Sequence, residues 1–172
     1  MRRAPSNART GLIGLVVIPI LLAGCGAAAA PTASQVAEMK QKADIYDIEQ
    51  IEVAWHKAAS TQNLDLMMSL WADNATFLIG GQVISGKEKI RNFFATKAAP
   101  FQQGNQWVSD TPAYKMQVTV NGDKGTLYFE CHYIDPATKQ AKSIVAANQD
   151  VERINGKWLI TGSTSATAVL GT

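Results

Sequence analysis

Residues 70–94 read LWADNATFLIGGQVISGKEKIRNFF. Within this stretch Ala75 to Ile79 and Gln82 to Ile84 are short β-prone runs on either side of Gly80-Gly81, the signature of a tight hairpin. Ser85-Gly86-Lys87-Glu88 then spells a capping box. Ile90, Phe93, Phe94 and Lys97 follow at helical spacing, so a strand pair hands over to a helix. Immediately upstream, Leu64, Met67, Met68 and Trp71 recur at i, i+3, i+4 and i+7, with Asn63 placed to cap and Asp65 to favour the first-turn dipole. This predicts a helix carried through Trp71.

Working outward, Val36 to Ser60 is predicted helical. Ile48, Ile51, Trp55 and Ala58/Ala59 form one apolar face suited to a core. Val36, Met39, Ala43, Tyr46, Gln50 and Val53 form a different stripe, a second surface that a partner could cover. Beyond Trp107 the chain turns to strand. Tyr114, Met116, Val118 and Val120 alternate with polar residues, and Asn121 to Gly125 makes a turn. Leu127, Phe129, Cys131 and Tyr133 then share a face opposite Tyr128, Glu130 and His132. Turns at Asp135-Pro136 and Asn155-Gly156 set off two further strands, Ala141 to Ile154 and Lys157 to Ala168. Helices first and an antiparallel meander after them make an α+β domain.

The amino terminus carries a different message. Arg2, Arg3 and Arg9 precede a 12-residue apolar run, Leu12 to Ala23, which suits a signal peptide and is short for a membrane span. The run ends in Leu22-Ala23-Gly24-Cys25, which resembles the bacterial lipobox. That resemblance implies cleavage after residue 24, lipid on Cys25 and attachment of the chain to a membrane of the cell envelope. With Gly26 rather than aspartate next, it implies the outer membrane, facing the periplasm, in a double-membraned host. Residues 25–34 read as lipidated cysteine and tether, and 35–172 as one domain. Removing the three leader arginines leaves 13 of the 16 basic residues against 14 acidic ones, of mixed sign and scattered, which argues against nucleic acid as a partner.

LWADNATF, ISGKEKIRNFF and NGKW, in that order and separated by these elements, resemble the NTF2-like superfamily and its SnoaL-like branch over about residues 44 to 166. The resemblance implies a cone in which a curved antiparallel sheet wraps around the helices, with a pocket at its mouth. It also implies a homodimer, since many members pair through the sheet. Ketosteroid isomerases of the superfamily carry a general-base carboxylate just after the segment matching Ala75-Thr76-Phe77. Here Leu78, Ile79 and Gly80 stand there, and an aliphatic side chain cannot abstract a proton. The isomerase tyrosine aligns with Trp55, and the second oxyanion donor falls near Asp150.

The expected site is therefore a ligand pocket lined by Trp55, Phe93, Tyr114, Phe129 and Tyr133, with Asp150 as its polar group. Strand parity leaves the side that Asp150 faces open, because Asn148, Asp150, Glu152 and Ile154 all share it. Asp150, with His132, is the only catalytic candidate, for an isomerase-like or dehydratase-like step. The leading expectation is non-catalytic binding of a small apolar ligand or a protein partner; an envelope interaction module with a filled pocket is the third reading. No cofactor is expected. His56 and His132 lack companions at metal-ligand spacing, so no metal is expected either.

Overall fold

A computed structural model describes residues 30–110 and 113–170, and the segment expected to be a signal peptide lies, with Cys25, outside the described residues. The segment Thr32–Thr172 is a compact unit by itself. Its elements run α1 (Ala33–Ser60), α2 (Leu64–Met68), β1 (Trp71–Ile79), β2 (Gln82–Ser85), α3 (Lys87–Thr96), a 3-10 turn (Ala99–Phe101), β3 (Val108–Ser109), β4 (Lys115–Asn121), β5 (Lys124–Ile134), β6 (Ala141–Ile154) and β7 (Lys157–Val169).

The seven strands form one sheet in the order β2-β1-β7-β6-β5-β3, with β4 paired to β5 beside β3. The sheet is mixed rather than purely antiparallel: β1 runs parallel to β7, because the chain leaves β1 through β2 and α3 and comes back beside it only with β7, the last strand of the meander. Asn155 and Gly156, both at positive φ, close the β6–β7 hairpin with the backbone that an Asn-Gly turn supplies cheaply.

Three boundaries differ from the sequence reading. Trp71 does not extend α2: that helix stops after five residues, where the Ser69 N–H bonds back to the Asp65 and Leu66 carbonyls. Trp71 instead opens β1, which therefore begins four residues before Ala75. Ser85 caps nothing, since it ends β2 and the N-cap of α3 is Gly86 at φ 91° without a side-chain hydrogen bond. The capping box stands at the start of α1 instead, where the Thr32 hydroxyl accepts from the Gln35 N–H and Gln35 Oε1 accepts from the Thr32 N–H, so the helix begins within the segment read as tether.

The core lies between α1 and the inner face of the sheet. Ile48, Ile51, Trp55, Ala58 and Ala59 of α1 are buried with Leu127, Phe129, Cys131 and Tyr133 of β5, and with Val145, Ala147 and Val151 of β6. At Gly125 the backbones approach so closely that a Cβ would lie 2.5 Å from the Thr119 carbonyl oxygen and 3.2 Å from Ile48 Cδ1.

Candidate functional site

One end of the inner sheet face stays open and holds a cavity of about 250 Å³. Its floor is Trp55 of α1 with Tyr133 of β5. Phe93, Phe94 and Lys97 of α3 and the turn through Phe101 form one wall. Phe77 and Ile79 of β1, Ser143 and Val145 of β6, and Ser165, Thr167 and Val169 of β7 form the other, with Trp107 completing the rim. The alternation of β6 and β7 places these residues. Ser143 and Val145 share the inward parity of Ala147, and Ser165 that of Ser163, so serines at 143 and 165 reach the cavity on a largely apolar face.

The walls are braced by aromatic contacts. Trp55 meets Phe94 edge-on at 5.5 Å and Phe129 at 5.7 Å, while Phe77 stacks on Phe94 at 5.7 Å and meets Phe93 edge-on at 5.4 Å. Such a ring set keeps its shape when empty, since each side chain is fixed by its neighbours. Polar groups are few. Trp55 is 3 % exposed and its indole N–H makes no well-formed hydrogen bond, with the hydroxyl of Tyr133, itself 4 % exposed, the acceptor beside it. Burial, and next the neighbouring Cys131 thiol, push the Tyr133 phenol up, so it is a protonated donor at neutral pH. Among the described residues the lining contains no carboxylate and no imidazole.

Of the anticipated pocket residues, Trp55, Phe93 and Tyr133 line the cavity. Phe129 does not: it is wholly buried, packed between Trp55 and His56, and fills the core beneath the floor. Tyr114 is 74 % exposed and its ring lies 5.5 Å from His132. Asp150 is also misplaced by the sequence reading. Gln149 and Val151 take the inner positions of β6, so Asp150 is exposed on the outer face between Thr126 and Gly162, where it borders a separate open polar groove. His132 faces outward too. The Asp110 carboxylate accepts from the His132 backbone N–H at 2.6 Å and lies 2.8 Å from Nδ1, which fixes the ring away from the cavity. Leu78 is on the outer face as well, and Ile79 reaches the rim.

The sequence reading missed Phe77, Phe94, Phe101, Trp107 and Lys97 as lining residues, and it missed a buried pair on α1. Glu52 and His56 are both fully buried, with Oε1 2.7 Å from Nδ1, and Glu52 Oε1 accepts the Ala113 N–H at 3.0 Å. Their i, i+4 spacing beside Ile51 and Trp55 was the available signal, because it puts both on the core face of the helix. Gln149 is equally buried, and neither amide atom has a partner. Among the described residues no three His, Cys, Asp or Glu side chains come together as a metal site.

The SnoaL-like domain family matches residues 41–164. Solved structures share the fold at low identity. An NTF2-like protein with a cystatin-like fold from Novosphingobium aromaticivorans is 14 % identical, with a TM-score of 0.63, over 80 % of this chain and 91 % of its own. A candidate ketosteroid isomerase from Shewanella frigidimarina is 16 % identical with a TM-score of 0.55, covering 68 % of this chain and 92 % of its own. A candidate dehydratase of the NTF2-like family from Streptomyces avermitilis is 16 % identical with a TM-score of 0.59, covering 75 % and 99 %. No curated protein matches the chain in sequence. With the family matched across most of the chain, the protein belongs to the SnoaL-like domain family, and it shares the fold of NTF2-like structures.

Proposed function

We propose that this chain is a lipid-anchored protein of the cell envelope whose SnoaL-like domain binds, without transforming it, a small, flat, largely apolar molecule bearing an oxygen acceptor. The observation that carries this reading is the aromatic cavity with an indole N–H at its floor that makes no well-formed hydrogen bond and, among the described residues, no carboxylate or imidazole on its walls. Apolar burial supplies the affinity and the Trp55 N–H, with the Tyr133 hydroxyl beside it, reads the oxygen. Proton abstraction next to a carbonyl needs a base within hydrogen-bond reach. Isomerase or dehydratase activity, the class of two structural relatives, finds no such group among the described lining residues. Leader, lipobox and Gly26 support the anchor on Cys25 and, in a double-membraned host, placement at the outer membrane facing the periplasm.

Native mass spectrometry on residues 32–172, exported without lipid and purified gently, tests the pocket. A small-molecule mass that survives native conditions, disappears on denaturation and is lost from Trp55→Phe supports the reading. A bare chain in every preparation overturns it. Intact-mass analysis of the mature chain tests the anchor: a diacylglyceryl adduct on Cys25 is expected, and an unmodified amino terminus upstream of it overturns the assignment.

A further inference from the structure

The first helix carries a largely apolar stripe that stays exposed along its length, least so at Val53. Val36, Met39, Ala43, Tyr46, Gln50 and Val53 repeat with alternating spacings of three and four over two and a half heptads, the period of a helix–helix seam. The stripe lies opposite the face that Ile48, Ile51, Trp55 and Ala58 bury in the core, so the domain stands behind it rather than in its way. Val36 is 52 %, Met39 64 %, Tyr46 60 % and Val53 38 % exposed. Moreover, every residue from 33 to 43 is exposed, about three turns of helix without tertiary support. A helix of that length is marginal alone in water, which leaves it in need of a neighbour.

The chemistry of the stripe selects that neighbour. Its amino-terminal half is flanked by Lys40 and Lys42, which also pair along the helix with Asp44 and Glu38, and its carboxyl-terminal half by Asp47 and Glu49. We infer that a second copy of this chain packs antiparallel along the α1 stripe, its midpoint between Ala43 and Tyr46. In that register Ala43 faces the second copy's tyrosine, a small residue against a large one, and the flanking Lys40 and Lys42 of each helix lie along Asp47 and Glu49 of the other. The helix dipoles oppose as well. A parallel pair would set Tyr46 against its own copy and align the helix dipoles side by side.

Cysteine cross-linking in the full-length protein, in membranes or mild detergent, separates the arrangements. A chain carrying both Met39→Cys and Gln50→Cys should give a disulfide-linked dimer on mild oxidation. Either substitution alone should give no more than the unaltered chain, because like positions sit about 16 Å apart along an antiparallel pair. Lys42→Glu should weaken dimerisation about tenfold, since it reverses two symmetric charge contacts, and adding Glu49→Lys should restore it. Circular dichroism on each variant verifies the fold, which these exposed positions do not support. Cross-linking of Met39→Cys with itself would mean a parallel pair and overturn the proposal, and so would a double variant that links no better than the unaltered chain.

Discussion

Asp44 on α1 and Arg153 on β6 form an ion pair that fastens the helix to the sheet at the end far from the cavity. Lys40 reaches the same carboxylate at 2.7 Å, Asp123 meets Arg153 Nε at 3.2 Å, and the guanidinium lies 4.6 Å from the Trp158 ring centre. Burial opposes the charge on Asp44. Hydrogen bonds from Lys40 and Arg153 outweigh it and hold the carboxyl below the usual range.

Arg153→Ala should destabilise the domain by about 2 kcal/mol in chemical denaturation. It strands a buried carboxylate, and the loss stays under the full cost of an isolated charge because Lys40 remains. A carboxyl depressed in the folded state contributes stability above its unfolded pKa of about 4. That contribution is lost as pH falls through the lower folded value. The melting temperature should therefore drop more steeply below about pH 4 in the unaltered protein than in Asp44→Asn, and equal slopes would remove the pair from the account of acid stability.

Gly125→Ala should cost about 1 to 3 kcal/mol although it adds one methyl group. The new Cβ would meet the Thr119 carbonyl oxygen at 2.5 Å, with Ile48 and Val151 closing the other sides. Backbone cannot yield as a flexible side chain can. A denaturation midpoint unchanged from the parent would show that β4 shifts freely at this point.

Phe129→Ala and Asp150→Ala should part company. Phe129 is wholly buried beneath the cavity floor, so its truncation should lower stability by about 3 to 5 kcal/mol. Asp150 is exposed on the outer face, where its loss should stay within about 0.5 kcal/mol and leave the retained mass in native spectra unchanged. Loss of bound ligand in a folded Asp150→Ala protein would return that residue to the site.

Cys131 should resist alkylation. Burial pushes its thiol up to about 12, so almost none is thiolate at pH 8. Peptide mapping after iodoacetamide treatment should find it unmodified in the native protein and labelled once urea is present; native labelling would reveal local opening of β5.

The sequence by itself determined what short-range periodicity and turn chemistry control. Leu127, Phe129, Cys131 and Tyr133 alternate inward along β5, Asn63 caps α2 through Leu66 N–H, Asn155-Gly156 closes a hairpin, and two separate stripes mark α1. Each follows from residues within one or two turns of one another. The tertiary structure alone decided which of two alternating faces is the inner one. Parity grouped Asp150 with Asn148 but could not say that Gln149 and Val151, not they, take the buried face. Likewise only the return of β7 beside β1 draws Trp71 into a strand and makes the sheet mixed. The cavity is the least legible feature of all. It is a gap left where α3, the turn through Phe101 and the ends of β6 and β7 fail to meet, and the volume between distant segments is written in no single one of them.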